Sequence, residues 1–226
     1  MKGFRLLNAD EIECRVAQVR ESGITLLLYK DARCDMNILD ETVGMMQWKK
    51  TYSRENRNCT VYIWDSDKKE WIGKEDTGTE SYTEAEKGLA SDSFKRACVN
   101  WGIGRELYTA PQIKIGKDDC RIINDGGKLK CFDRFDVLEI GYDEKERISE
   151  LTIARVKSGK REVVFKYSNP YLPADMVRTL AALAKDHGHS EAAICQYFGV
   201  NKYEELTVEQ FTRLMDSMSS SKEGEA

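Results

Sequence analysis

Between Gln47 and Trp101 the chain sets out three alternating segments, a glycine and then one long capped helix, and few folds accept that order. Met46, Trp48 and Tyr52 alternate with Gln47, Lys49 and Thr51, which predicts a strand with one wet face. Cys59 to Trp64 repeats the pattern, Asp65-Ser66-Asp67-Lys68-Lys69 supplies a turn, and Trp71 to Thr77 returns antiparallel. Thr83 and Glu86 form a capping box that opens a helix running to about Trp101 and stopping at Gly102. On that helix Ala90, Phe94, Ala97, Cys98 and Trp101 share one face, whereas Ala85, Leu89 and Arg96 lie on another. Two apolar strips imply two covers: the helix's own sheet, and a neighbouring subunit for the second.

The flanks read differently. Asn8 and Glu11 form a capping box that predicts a helix with Ile12, Val16 and Val19 on one stripe, Arg15 at its border and Gly23 past its end. A strand at Ile24–Tyr29 and a less regular stretch to Thr42 follow. From Ile113 to Tyr167, short alternating runs (Phe135 to Ile140, Leu151 to Val156, Val163 to Tyr167) predict an added β-meander. Three short helices come after Asn169-Pro170: Pro173 to about His187, Ser190 to Phe198 closed by Gly199, and Thr207 to Met218 with a Thr207/Gln210 capping box. The expected fold is α+β: a βββα core over 1–111, a β-meander extension over 112–168, a helical module over 169–218 and a disordered tail over 219–226.

Several chemistries are excluded or disfavoured. There is no Walker A sequence, and Gly102-Ile103-Gly104 lacks the third glycine of a dinucleotide loop and follows a helix, so no nucleotide cofactor is expected. Seven cysteines with no paired C-x-x-C, and only His187 and His189, argue for reduced, packed thiols and against a structural zinc site. Asp65, Asp67, Glu75 and Asp76 flank a hairpin; a metal nuclease is the sharp reading of them and a solvated turn the plain one. No apolar run approaches the roughly 20 residues of a spanning helix, and the start does not open a signal peptide, so a cytoplasmic protein is expected.

What remains is cationic and aromatic. Lys49-Lys50 stand beside Trp48 and Tyr52, Lys68-Lys69 beside Trp64 and Trp71, and Lys95-Arg96 near the end of the main helix. Single-strand binders combine cations that track the backbone with rings that stack on bases. The net charge of −4 does not forbid this, because it is unevenly spread. Residues 1–111 carry 17 Lys+Arg against 19 Asp+Glu, 112–168 carry 13 against 11, and 169–226 carry 5 against 9.

The run from Gly78 through Ala90, Asp92, Lys95, Arg96 and Ala97 to Gly102 resembles the signature of the Rad fifty-two family of annealing proteins, and Asp10 to Arg15 is similar to that family's first helix. The resemblance covers roughly residues 4–111, with phage and bacterial annealing proteins nearest in size. It implies rings of subunits that hold single-stranded DNA by its phosphates, bases outward, and anneal complementary strands in recombination and double-strand break repair without ATP, metal or bond cleavage. By that resemblance Arg15, Lys95 and Arg96 are inner phosphate contacts, and Lys68 or Lys69 an outer site. Lys49 and Lys50 are added from the strand pattern. The lysine that the family carries shortly before its main helix has no clear counterpart among Glu80, Ser81 and Tyr82. By analogy, residues 170–218 dock a single-strand-binding protein or an exonuclease; a plain stabilising appendage is the alternative. The competing function is a recombination mediator or scaffold that loads a partner without annealing.

Overall fold

A computed structural model of the chain describes residues 3–79 and 85–220. Its described residues form a mixed α+β structure with several sheets and five α-helices, divided into two compact units. The first comprises Met1–Gly141 and Glu146–Tyr167, the second Tyr142–Lys145 and Ser168–Ala226.

In the first unit, strands β1 (Glu13–Arg20) and β2 (Gly23–Tyr29) pair antiparallel within a six-stranded sheet. Helix α1 (Ala32–Val43) follows, then β3 (Trp48–Ser53), β4 (Asn58–Asp65) and β5 (Glu70–Thr77), which form a separate antiparallel sheet in that order. Helix α2 (Ala85–Trp101) packs on β4, β5 and α1. Next come β6 (Ile113–Gly116), a hairpin of β7 (Ile122–Asp125) and β8 (Lys128–Cys131), and the strands β9 (Arg134–Tyr142), β10 (Ile148–Lys157) and β11 (Lys160–Ser168). Within residues 112–168, β9, β10 and β11 are consecutive neighbours in the large sheet, β6 lies at its other edge, and β7 pairs with β8. The large sheet runs β11-β10-β9-β1-β2-β6, so late strands flank the first hairpin on both sides.

The helix expected after Asn8 is corrected to a strand. The Glu11 carboxylate does accept from the Asn8 amide at 2.8 Å, but the helical turn lasts only Ala9–Glu11 before β1 begins. Ile12, Cys14 and Val16 alternate inward, and a β-bulge between Val16 and Gln18 adds one residue before Val19. That extra residue turns a period of two into an apparent helical spacing at Ile12, Val16 and Val19. The stretch read as irregular before Thr42 is helix α1. Asp31 caps it by accepting from the Cys34 amide at 2.8 Å, Gly44 ends it at φ 94°, and Cys34, Asp35, Ile38 and Leu39 form its buried stripe.

The hairpin and main helix lie where their patterns predict. The β4–β5 turn is held by the Asp65 carboxylate, which accepts from the Asp67 and Lys68 amides at 3.0 Å each. On α2, Phe94, Ala97 and Cys98 are fully buried against the sheet that presents Cys59, Val61 and Ile63. Helix α1 also packs on α2, within the same chain. The Thr83/Glu86 capping box and the stretch Glu80–Tyr82 lie outside the described residues. Of the seven cysteines five are buried and two half-buried, and desolvation pushes the Cys14 and Cys34 thiols up to about 12.

The second unit contains α3 (Ala174–Asp186), α4 (Glu191–Phe198) and α5 (Val208–Ser220) around Leu172, Leu180, Ala184, Ile194, Cys195, Tyr203 and Leu206. Its ends follow the sequence signals: Ser190 accepts from the Ala193 amide, Gly199 adopts φ 68°, and Thr207 and Gln210 exchange hydrogen bonds at 2.8 and 3.1 Å. Of the tail, residues 221–226 lie outside the described residues.

Gly78 fixes how α2 meets the sheet. A Cβ there would stand 2.7 Å from both the Leu89 carbonyl oxygen and the Ser93 amide nitrogen, so the strand can pass the helix backbone only as glycine. Gly78→Ala is expected to cost about 1–3 kcal/mol of stability through forced displacement of α2. Urea unfolding measures this, and an unchanged midpoint would show that the close approach is not needed.

Candidate nucleic-acid interface

A groove of about 430 Å³ runs along the first unit between β2 and α2. Leu26 to Tyr29 line it from β2 and Lys30 from just after it, Asp92, Lys95, Arg96 and Val99 from α2, and Gly104, Leu107, Tyr108, Ala110 and Pro111 from the chain beyond. Lys95 and Arg96 reach it because they follow Phe94 on a helix whose buried face is turned to the three-stranded sheet. Arg15 stands directly across from Leu27 in the β1–β2 register, and opposed residues share a sheet face. Tyr29 connects these groups. The Lys95 ammonium is 5.8 Å from its ring centroid, and Arg15 lowers the pKa of its phenol. Hydrogen bonding to the Glu13 carboxylate outweighs this and, with burial, pushes the phenol up to about 12.

The cations differ in how firmly they are held. Arg96 is 45% exposed and its Nε donates to Asp76 Oδ1 at 3.3 Å. Such a surface pair contributes about 0–1 kcal/mol, so the guanidinium can exchange partners at small cost. Asp92, one helical turn before Arg96, accepts from the Thr79 amide at 2.9 Å and from its hydroxyl at 3.3 Å. Among the described residues neither Arg15 nor Lys95 forms an ion pair.

The other four expected residues lie elsewhere. Neighbours on a strand point to opposite faces, and Lys49 and Lys50 obey that rule. Lys49 lies over Trp71 at 4.3 Å on the face away from α2, and Lys50 over Phe94 at 4.0 Å on the helix side. Lys68 and Lys69 occupy the β4–β5 turn, where Lys68 approaches Asp65 at 3.9 Å. The aromatic partners are mostly engaged in structure: Trp48 donates to Asp40 at 2.7 Å and stacks on Phe94, and Trp64 packs edge-on against Trp71.

Three of the four carboxylates weighed as a nuclease site have structural tasks. Asp65 holds the turn, Glu75 accepts from Asn58 and Thr60 at 2.8 and 2.9 Å, and Asp76 serves Arg96, Asn100 and the Thr77 amide. Glu75 and Asp76 point to opposite faces of β5. Among the described residues no His, Cys, Asp and Glu side chains gather as a metal site.

Beneath the groove lies a buried ion pair that sequence reading missed. The Lys30 ammonium donates to Asp35 Oδ1; Lys30 is 4% exposed and Asp35 fully buried, with Asp35 Oδ2 lacking a partner among the described residues. Burial pushes the Asp35 carboxyl up to about 6 in spite of the opposing pull of the Lys30 charge. The lysine stem crosses Gly104, where a Cβ would come within 2.1 Å of its Cε and where φ is +72°. Gly104 was visible in the sequence as part of Gly102-Ile103-Gly104, but its partner 74 positions earlier was not.

Residues 58–120 match the family model described as Rad52/22 family double-strand break repair protein, which shows the likeness read from the sequence. The match takes in β4, β5, α2 and β6, with Lys95, Arg96, Lys68 and Lys69; Arg15, Lys49 and Lys50 lie outside it. No curated protein and no solved structure matches the chain.

Removing one member of the buried pair leaves an uncompensated charge. Asp35→Ala is expected to cost about 3–5 kcal/mol, and Lys30→Met combined with Asp35→Leu to recover most of that loss. Thermal unfolding of the single and double variants decides it: a double variant no more stable than Asp35→Ala would mean that the loss is one of packing rather than charge.

Proposed function

We propose that this protein binds single-stranded DNA along the β2–α2 groove and anneals complementary strands in recombination and double-strand break repair, as an oligomeric ring and without nucleotide hydrolysis. One observation carries the reading: Lys95 and Arg96 line a groove whose α2 wall falls within the family match, and Arg15, from a distant part of the sequence, stands across from that groove's Leu27 in the β1–β2 register. In this reading β3, β4, β5 and α2 are the annealing core, and α3 to α5 form a helical module that docks a single-strand-binding protein or an exonuclease.

The chemistry follows from the cations. Lysine and arginine that hold phosphates give affinity without sequence preference, since a phosphate is the same at every nucleotide. Bases that stay outward remain free to test a second strand by pairing. Two strands held on rings meet with their charges already screened, and the correct partner is retained by base pairing alone. No bond is made or broken in the DNA, so the activity is templating rather than enzymatic chemistry.

The test is annealing of two complementary dye-labelled oligonucleotides without ATP or metal, with oligomeric state followed by light scattering. Wild type should accelerate annealing, and Lys95→Ala with Arg96→Ala should reduce single-strand affinity at least about tenfold, or about 1.4 kcal/mol. Its salt dependence should flatten by about 0.7 in log–log slope for each phosphate that the variant no longer neutralises. A folded wild-type protein that binds but does not accelerate annealing would leave the mediator reading in its place.

A further inference from the structure

We propose that Tyr108 is a base-contacting residue of the groove, stacking its ring on a nucleobase of the strand whose phosphates Arg15, Lys95 and Arg96 hold; this rests on the single-strand reading above. Two apolar side chains of the groove are strongly exposed, Tyr108 at 72% and Leu27 at 57%. An exposed aromatic by itself says little. Its carrier and its neighbours say more.

The turn Arg105–Thr109 that carries Tyr108 is anchored on every side of it. Glu106, nearly fully buried, accepts from the Leu7 amide at 2.9 Å. The Thr109 hydroxyl donates to the Glu106 carbonyl at 2.7 Å and accepts from the Ile148 amide at 2.9 Å. Arg105 donates to the Val99 and Asn100 carbonyls at 2.9 and 3.1 Å, tying the turn to the end of α2. Tyr108 thus points outward from a backbone that does not have to be ordered when a ligand arrives, which is the low-entropy presentation that favours stacking.

Charge decides between a nucleotide and a protein as the occupant. A protein chain covering Leu27 and Tyr108 would also bury Lys95 and Arg96 and would need to bring carboxylates to them. The groove's own acid, Asp92, is taken by Thr79. A nucleotide strand alternates an anionic phosphate with a flat apolar base and sugar, and so meets both kinds of lining at once. The cations lie on β1 and α2 and the aromatic beyond Gly104, so one strand can set its phosphates against the former and a base against the latter.

The experiment compares fluorescence anisotropy of a labelled oligo-dT with that of an abasic oligomer of equal length, using wild type, Tyr108→Ala, Tyr108→Phe and Lys95→Ala. Base stacking predicts that Tyr108→Ala weakens oligo-dT binding about tenfold, leaves abasic binding unchanged and is rescued by Tyr108→Phe. Lys95→Ala should weaken both oligomers alike. Equal loss on both oligomers for Tyr108→Ala, or none on either, overturns the assignment while leaving the single-strand reading in place. A Tyr108→Ala protein that keeps its preference for oligo-dT but changes oligomeric state by light scattering also overturns it, in favour of a contact between copies. Wild type that binds neither oligomer removes the single-strand reading itself, and this assignment with it.

Discussion

The groove depends on two close approaches made at glycine, one against helix α2 and one beyond its end. At the first, Gly78 lets the chain leaving β5 run against the carbonyl of Leu89 and the amide of Ser93 with no room for a side chain. At the second, Gly104 turns with positive φ beneath the stem of Lys30. The backbone contact at Gly78 tolerates shifts of only tenths of an ångström, whereas the lysine stem at Gly104 absorbs more. Phe94, Ala97 and Cys98 then fill the space that the contacts define. Since Lys95 and Arg96 follow Phe94 directly, the packing of the helix sets where its cations stand relative to β2.

The buried pair beneath the groove extends that constraint to α1. Lys30 directly follows β2 and Asp35 lies in the first turns of α1, so their contact ties the strand to the helix that packs on α2. Burying both charges is expensive, and hydrophobic residues of similar volume would often be as stable. What the pair adds is a geometry that a greasy contact would not enforce: the ammonium must reach one oxygen across Gly104. The same low dielectric that raises the Asp35 carboxyl to about 6 makes any misplacement of Lys30 costly.

Local signals in the sequence identified the elements whose ends are chemically marked. The Asp65 turn, the Gly102 stop, the Ser190 cap with Gly199, and the Thr207/Gln210 box all sit at the predicted places, because each satisfies backbone groups within a few residues. Strands β6, β7 and β8 were not singled out among the alternating runs, and before them two elements were hidden. The bulge in β1 counterfeited helical spacing, and α1 carries its cap at Asp31 directly after a strand, where Asp31-Ala32-Arg33 reads as a loop. The pairing of β9 with β1 and of β6 with β2 joins residues about a hundred positions apart, and no local pattern reports such a partner. At the candidate groove, Lys95 and Arg96 were singled out through the run that resembles the family signature, whereas Tyr29, Lys30, Asp35 and Tyr108 acquire meaning only from neighbours brought by the fold. Lys49 and Lys50 illustrate the opposite limit. Their adjacency suggested one cationic patch, although the period of two on a strand already requires them to face apart.

Net charge is the least informative number the chain offers about its ligand. In cell-like salt the screening length is about 8 Å, so a phosphate in the groove responds to the charges around it and little to the sum over 226 residues. Residues 1–168 balance their acids and bases, and the overall −4 comes from the segment after them. Within the balanced part, position separates the two signs. Asp92, Glu75 and Glu106 are each bonded to backbone or side-chain donors, while among the described residues Arg15 and Lys95 have no ion pair and Arg96 keeps a weak one. A fold that ties down its carboxylates and leaves its groove cations available makes a local positive field from a neutral composition. In the proposed reading that field serves a polyanion held by contact, and a salt-sensitive affinity follows, because the few cations involved act at short range.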